Sequence, residues 1–520
     1  MNKTPYIYSI PINIASMKKN IRQTIGRRRF VQVTAATALG FTILPRHVLG
    51  GKNYIAPSDK ITLAYIGCGT QGIRELLLLL ANPQFQVVAV ADPNKQAIGY
   101  KDWSKTGLLN AIRSTIKQPD WSSGGDNTIP GGRDNGKSIV DTFYANNHPE
   151  LKYTGCTAYA DARALLEKER DLDAVKIMTP DHLHGVLATA AIKKGKHVLM
   201  HKPLSNRLVE GKKLIELARN SKSITHLIPW DSNGSMDQVM TWINGGAIGT
   251  LSEVHNWTNR PVWPQYPTLP TDKPPIPDGL DWELWLGPEA DRPYSPDYTN
   301  MVFRGWYDFG GGSMADWGCH GMNLPVRSLK LDYPIRIEPD IPGGYTDSYP
   351  KRVRLRYDFA ARGAQPPVTV WWYDGGRLPV DGILPGSVMS HLGKMPDGGV
   401  LLLGDKGFTY GAPHSGADYI QLAGENNLSG ILNHAATKEI PKSLARSPGH
   451  LHEWVNACAG GPPTFSNFET GGHLTEIVLS GVLALRAQKG LDWDGAAMHT
   501  RNAAEAEQFI EAHYRPDFKI

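Results

Sequence analysis

Residues 61–72 read ITLAYIGCGTQG, an apolar run ending in Gly67, Gly69 and Gly72 at G-x-G-x-x-G spacing, with a leucine-rich stretch from Ile73 to Ala81 directly behind it. This pattern demands a strand that turns sharply into a helix. The first glycine makes the turn, the second lets a pyrophosphate approach the backbone, and the third lets the helix pack close to the strand. The unpaired N–H groups at the helix start suit a phosphate. A second apolar run, Val87 to Ala91, ends in Asp92, where an acid accepts hydrogen bonds from the adenosine ribose hydroxyls and repels a 2′-phosphate. The reading is a dinucleotide site that favours NAD over NADP, built from Gly67, Gly69, Thr70, Gln71, Gly72 and Asp92. The competing reading is that Asp92 only starts the turn Asp92-Pro93-Asn94.

At 520 residues the chain has room for two or three domains. Its formal charge of +5 misleads, because the first fifty residues hold eight Lys and Arg and no acid; the remainder has 47 bases against 50 acids, a net of −3. No basic patch therefore argues for nucleic acid. Those fifty residues, with Arg27-Arg28-Arg29-Phe30-Val31-Gln32 leading into a mildly apolar stretch up to Leu44, resemble a twin-arginine export signal. The apolar stretch is too short to span a bilayer comfortably and is broken by Pro45, which disfavours a membrane anchor. The expectation is an exported, periplasmic protein whose mature part starts near Gly50 to Asn53 and has no membrane span. Cys68, Cys156, Cys319 and Cys458 lack C-x-x-C spacing, so neither a disulfide framework nor a zinc site is indicated.

Residues 118–137 are rich in Gly, Asp, Asn and Ser without periodicity and read as a surface insertion. Then come a helix from Tyr159 to Lys168 capped from Asp161, a strand from Ala174 to Met178 ending in Thr179-Pro180-Asp181-His182-Leu183-His184, a helix from Gly185 closed by Gly195, and a strand from Lys196 to Met200 ending in His201-Lys202-Pro203. Strand and helix alternating at these spacings mean a parallel sheet, whose ligands sit at the carboxyl ends of its strands. Thr179, Pro180, His182, His184, His201 and Lys202 fall at such ends and are the remaining cofactor-side candidates. The alternative for His182 and His184 is a helix start or a core position. Beyond a helix from Leu204 to Ser221 the texture changes. Residues 261–298 are rich in Pro, Trp and Tyr, Trp263 among them, as in a loop that walls a site. Arg352 to Phe359 and Val368 to Tyr373 read as strands, Gly399 to Tyr410 as a hairpin, and Leu451 to Ala459 and Leu474 to Lys489 as helices. The fold class is α/β, a Rossmann domain followed by an α/β domain with a largely antiparallel sheet.

Two features carry chemistry. In RGWYDFGGGSMADWGCHG, residues 304–321, Asp316 and His320 are four apart and would share a helical face. A carboxylate beside an imidazole orients it as a general base; one His and one carboxylate on a turn fall short of a metal site. Lys202, between a buried strand and Pro203, can reach into a cleft and stabilise a developing alkoxide. Arg304, Trp306 and Tyr307 precede the turn as candidate sugar-site residues, with Trp263, although a Trp is more often core.

The glycine motif, Asp92, TPDHLHGVLATAAIKKGKHVLMHKPL and GGGSMADWGCHG together resemble the glucose-fructose oxidoreductase, inositol dehydrogenase and MocA family over residues 60 to about 490. The resemblance implies a Rossmann domain at 51–205, a substrate and oligomerisation domain at 206–490 followed by a tail at 491–520, bound NAD, a sugar substrate and a homodimer or tetramer. It implies that Lys202 is the lysine of a Glu-Lys-Pro motif, that Pro203 follows a cis peptide, and that Asp316 and His320 are the Asp-x-x-x-His pair with His320 the proton acceptor. One departure is plain: His201 stands where the family usually has Glu. The expected activity is NAD-dependent oxidation or reduction of a sugar or glycoside ring hydroxyl, with a tightly held cofactor recycled in place because NAD is not free outside the cytoplasm. The alternatives are an NAD-dependent glycosidase acting by transient oxidation, elimination and re-reduction, and a non-catalytic NAD-containing carbohydrate-binding protein.

Overall fold

The computed structural model describes residue 55 and residues 59–518, apart from 97–99, 101–103, 105, 124–128, 152, 229–235, 342, 378, 380–382, 395, 414 and 512–513. The export segment at 1–50 therefore lies outside the described residues.

Six parallel strands form the first sheet, in the order β3-β2-β1-β4-β5-β6 that characterises dinucleotide-binding folds. They are β1 (Ile61–Ile66), β2 (Phe85–Ala91), β3 (Thr157–Tyr159), β4 (Ala174–Ile177), β5 (His197–His201) and β6 (Thr225–Ile228). β1 and β4 are short apolar runs buried through their carboxyl-terminal halves, as a sheet covered on both faces requires. The helices between them include α1 (Thr70–Leu80), α2 (Gly107–Thr115), α3 (Arg133–Asn147), α4 (Ala162–Lys168), α5 (Asp181–Lys193) and α6 (Leu208–Arg219). Asp161 caps α4, its carboxylate accepting from the Arg163 N–H. Registers Ile66↔Ala91, Ile66↔Ile177 and Ile177↔Met200 bring four strand ends to one level, and the glycine turn, Asp92, Thr179 and His201-Lys202 follow there.

Three boundaries differ from expectation. The sheet runs to Ile228, because β6 pairs with β5 beyond the expected limit at 205. Within the supposed insertion α3 begins at Arg133, and it buries Gly136, Ile139, Val140, Phe143 and Tyr144, an i, i+3/i+4 stripe hidden behind a polar first turn. It buttresses the glycine turn, since the Gly132 N–H donates to the Cys68 carbonyl at 2.8 Å and a Cβ on Gly136 would lie 2.7 Å from Cys68 Sγ. Finally, the supposed tail contributes β15 (Leu491–Asp494) and β16 (His499–Thr500) to the second sheet.

Among the described residues that second sheet has ten strands, in the order β14 (Ser429–Gly430), β13 (Tyr419–Leu422), β12 (Gly407–Gly411), β11 (Gly398–Gly404), β7 (Leu251–Thr258), β10 (Val368–Asp374), β9 (Val353–Phe359), β8 (Arg336–Asp340), β15 and β16. β7 and β10 run parallel at its centre, and the other named pairings are antiparallel. β9 alternates buried and less buried residues along VRLRYDF, which gives the sheet one core face. Val254, Val370, Trp372 and Leu355 pack from it against Ile477, Val478 and Ala484 of the helix Phe468–Ala487. The aromatic segment holds its own cluster, Trp282, Trp285, Tyr298, Phe303, Trp306 and Phe309. It is stitched to the end of β2: the Lys95 N–H donates to the Gly279 carbonyl at 2.7 Å and the Asp281 N–H to the Pro93 carbonyl at 3.0 Å. Among the described residues no helix is long and apolar enough to cross a membrane.

Candidate active site

Gly67 sits at φ +98°, and a Cβ there would lie 2.5 Å from the Met178 carbonyl oxygen; a Cβ on Gly72 would lie 2.2 Å from the Gly67 carbonyl oxygen. Both positions exclude any side chain. Gly69 is different, because its Cβ would meet only the Tyr100 ring, at 3.4 Å, so nothing in the fold itself requires glycine there. No side chain caps α1 at Gly69, and the helix presents its first N–H groups to the turn. Asp92 Oδ2 accepts from the Cys68 N–H at 2.7 Å and Oδ1 from the Asn94 N–H at 2.8 Å. The carboxylate thus holds the glycine turn and starts the Asp92-Pro93-Asn94 turn together, with a lone pair left on each oxygen for a ribose hydroxyl. Burial pushes its pKa up to about 6, against the pull of those two N–H groups and Arg133.

Two of the strand-end histidines make structural contacts. His182 Nε2 lies 2.9 Å from the Trp285 carbonyl, its ring packs on Trp285 and Phe309, and burial drives it down to about 3. His184 lies between two carbonyls, Nδ1 2.6 Å from that of Pro203 and Nε2 2.9 Å from that of Thr179, and its neutral ring donates to one of them at a time, between the loops after β4 and β5. Pro180 is the N-cap of α5, and the Thr179 hydroxyl is buried with no hydrogen-bond partner. Between them Asp181, which the sequence reading passed over, is 6% exposed at the first position of α5. Burial pushes its carboxyl up, opposed by the charges of His184, Arg304 and Lys202. An acid inside a strand-end T-P-x-H motif was the available signal.

The Lys202–Pro203 peptide is cis, as the resemblance implied. Lys202 Nζ donates to Asp316 Oδ1 at 3.0 Å and to the Asp316 carbonyl at 2.5 Å. Arg304 Nε reaches the same Oδ1 at 3.1 Å. Burial alone would raise the Asp316 carboxyl; the Lys202 ammonium and the Arg304 guanidinium, with Arg260 behind them, outweigh it and hold it well below the usual carboxylate range. Asp316 lies in a π-helical turn, Met314–Gly318, that passes into Cys319–Gly321 carrying His320. The wider π turn replaces the regular helix on which the i, i+4 pairing rested. The turn lies on the second sheet, where a Cβ on Gly321 would be 3.2 Å from Asn256 Oδ1. His320 packs edge-on to Trp317, and the Arg260 guanidinium lies 5.3 Å from the Trp317 ring centroid. His201 is held far below its ordinary pKa by burial and by the charges of Lys202, Lys176, His320 and His184, and its Nε2 is buried without a partner.

The aromatic candidates divide. Trp306 and Tyr307 are both 2% exposed: Trp306 donates from Nε1 to the Asp297 carbonyl inside the aromatic cluster, and Tyr307 joins the core of the second domain. A bridge between Trp306 and Ser348 fixes the backbone that turns them inward, so neither lines the cleft. Trp263 is also buried, with Arg304 over its ring at 6.0 Å. The half-buried aromatic beside His320 is Trp317, which the sequence reading quoted only as part of a motif.

Residues 134–228 match a family model described as oxidoreductase family, NAD-binding Rossmann fold, and residues 239–365 its companion, oxidoreductase family, C-terminal alpha/beta domain. Both models are those of the Gfo/Idh/MocA oxidoreductase family, and together they match somewhat under half of the chain. The glycine turn lies upstream of the first match, with α1, β2 and α2 between them. Among curated relatives, dTDP-3,4-didehydro-2,6-dideoxy-alpha-D-glucose 3-reductase of Streptomyces violaceoruber is 46% identical over 98 residues, 19% of this chain and 28% of that protein. Levoglucosan dehydrogenase of Pseudarthrobacter phenanthrenivorans is 29% identical over 112 residues, 20% of this chain and 28% of that protein. The chain thus spans under a third of the length of either relative. Among solved structures, the WlbA dehydrogenase from Chromobactrium violaceum, in complex with NADH and UDP-GlcNAcA, superposes with a TM-score of 0.50 at 15% identity, covering 83% of this chain and 95% of that one; the likeness is one of fold.

β3 to β6 of the first sheet fall within the match to an NAD-binding Rossmann fold, and the residues at the sheet's carboxyl edge fit the cofactor. The glycine turn leaves open the approach at Gly69, the α1 amino terminus is uncapped, and the Thr179 hydroxyl and His201 Nε2 are buried polar atoms without partners on the same edge of the sheet. Gly67 to Gly72 would hold the pyrophosphate and Asp92 the adenosine ribose.

Proposed function

We propose that the protein is an NAD-dependent oxidoreductase acting on a ring hydroxyl of a sugar or glycoside, for example to or from a 3-keto glycoside. The observation that carries this reading is the cluster of Lys202, Asp316 and Arg304 beside His320, where a strand end of the NAD-binding sheet meets the π turn of the second domain. His320 is the base that takes the hydroxyl proton. Lys202, held by Asp316, donates to the same oxygen as it becomes alkoxide and then carbonyl, a charge-assisted bond in a site with little water. Trp317 offers a ring face to the C–H side of a pyranose, and Arg260 and Arg304 offer donors at its rim. The bound nicotinamide supplies the hydride acceptor or donor; everything else in the step is placement and proton handling by the chain.

The twin-arginine-like segment favours export, and an exported enzyme of this kind must keep its NAD and restore it in each cycle. A homodimer or tetramer is the assembly proposed. The decisive experiment purifies the exported form, records whether NAD(H) co-purifies, and incubates it with a panel of glycosides with and without a keto sugar acceptor, following absorbance at 340 nm and sugar products. Keto product that depends on the acceptor supports the oxidoreductase. Free aglycone without acceptor would replace it by the redox glycosidase, and no conversion of any glycoside by a protein that retains NAD would leave a binding role.

A further inference from the structure

Beside Asp92, at the carboxyl ends of β1 to β4, runs a narrow, mainly apolar cleft walled by Asp92, Arg163, Thr179 and Leu183 of the Rossmann domain. Two further walls come from elsewhere in the chain: Leu284, in the short helix Trp282–Leu286 of the aromatic segment, and Phe518, in the turn Pro516–Phe518. Given Asp92 at its edge, the cleft is where the adenine ring of a bound dinucleotide belongs. Nothing in a Rossmann domain requires either foreign wall.

Both are fastened in place. The Arg515 N–H donates to the Pro288 carbonyl at 3.1 Å, and its guanidinium donates to the Gly287 carbonyl at 2.6 Å and to the Asp291 carboxylate at 2.8 Å, with a further contact to the Glu283 carboxylate. Nearer the cleft, Arg163 donates to the Asp517 carbonyl at 3.3 Å and lies 4.2 Å over the Phe518 ring centroid, while the Asp161 carboxylate fixes its other edge at 2.9 Å. Residues 514–518 thus cross from the aromatic segment to α4, across the mouth of the adenine cleft.

We infer that residues 514–518 form a strap that retains the cofactor: Phe518, backed by Arg163, closes the adenine slot opposite Leu183 and turns an exchangeable NAD site into a resident one. The inference rests on the NAD-dependent reading above and assigns the retention to a particular element. A flat aromatic ring with a guanidinium behind it is what a purine base stacks against. Release then requires Phe518 and the contacts of Arg163 to give way, so the strap acts on the dissociation rate.

The test compares the full chain with Phe518→Ala, Phe518→Trp and a chain ending at Arg515, each loaded with NADH and chased with excess NAD while the fluorescence of bound NADH is followed. Phe518→Ala and the shortened chain should release NADH about tenfold faster or more, the factor carried by one base–aromatic contact, and Phe518→Trp should restore slow release. Melting temperature, followed in parallel, should not move with release, because the hydrogen bonds of Arg515 to Pro288, Gly287 and Asp291 remain. Equal release rates in all four proteins, or rates that merely follow melting temperature, overturn the strap. Sugar turnover at saturating NAD is read separately: its absence in every protein counts against the oxidoreductase reading and leaves the release comparison standing.

Discussion

Lys202 and Asp316, 114 residues apart in sequence, are joined through one ammonium that donates to both the carboxylate and the backbone carbonyl of its partner. That double contact ties the end of β5 to the π turn and fixes Lys202 relative to His320. The carboxylate also serves Arg304, so the two members of the pair are not equivalent. Removing Lys202 leaves Asp316 paired with Arg304 and with Arg260 behind it, whereas removing Asp316 leaves Lys202 and Arg304 without the carboxylate they share. Asp316→Ala should cost about 3–5 kcal/mol of stability in chemical denaturation, the usual loss when one partner of a buried pair is removed, and Lys202→Met clearly less. Both should abolish turnover. Equal destabilisation by the two would show that Arg304 does not share the carboxylate.

The same pair sets a pH dependence. The Asp316 carboxyl is held below its unfolded value, so its contribution is complete above the ordinary carboxylate pKa of about 4 and is lost as pH falls through the depressed folded value. The stability difference between the wild type and Asp316→Asn should stay flat from neutral pH down to about 4 and shrink only below it. A difference that shrinks between pH 7 and 5 would contradict this arrangement.

The three glycines of the turn predict different phenotypes. Alanine at Gly67 or Gly72 drives a Cβ into backbone and should lower the melting temperature and cofactor binding together. Alanine at Gly69 meets only the Tyr100 ring at ordinary contact distance, so Gly69→Ala should fold normally and fail to bind NADH, as titration of NADH fluorescence would report. Tight binding by Gly69→Ala would remove the pyrophosphate from this turn.

Asp92, with its pKa raised to about 6, carries its negative charge fully only above that pH. Repulsion of a 2′-phosphate should therefore fade as the carboxyl gains its proton. The ratio of NADP to NAD dissociation constants should be large at pH 8 and fall by roughly tenfold or more at pH 5, each pKa unit passed being a factor of ten in ionised carboxylate. A constant ratio would mean that Asp92 serves only its two N–H partners.

What the sequence made legible was local or periodic. The glycine turn, the strand ends and the N-cap of α4 at Asp161 depend on residues a few positions apart, and they stand where they were expected. The stripe of α3 was masked because its first turn, Arg133 to Lys137, is polar and glycine-containing. The partners of the site residues are less legible. The ion pair of Arg304 with Asp316, which adds to its expected place beside the sugar, depends on a π turn that no spacing announces, and the bridge to Ser348 turns Trp306 and Tyr307 inward. Asp181 and Trp317 were passed over because an acid at a helix start and a Trp within a motif have ordinary structural explanations. Contacts such as that between Phe518 and Arg163, 354 residues from Asp517 to its donor, have no sequence signature at all.

His201 gives the last prediction. It stands where the family it resembles usually has Glu, its Nε2 is buried without a partner, and the ammonium groups of Lys202 and Lys176 bear on it. A neutral imidazole there makes no charge-assisted bond to a nicotinamide ribose hydroxyl, and burial together with the neighbouring lysines keeps it from gaining a proton. His201→Glu places a carboxylate among those cations, where it should ionise and accept such a bond, worth roughly 1.5–3 kcal/mol before desolvation. NADH should bind about tenfold tighter in His201→Glu, measured by calorimetry, with the melting temperature unchanged or higher. In a chain that also carries Phe518→Ala, the substitution should recover part of the retention lost at the adenine end, because the two ends of the cofactor contribute independently to its release. If His201→Glu instead weakens NADH binding, the carboxylate has drawn Lys202 away from Asp316, and the imidazole is the residue this site is built around.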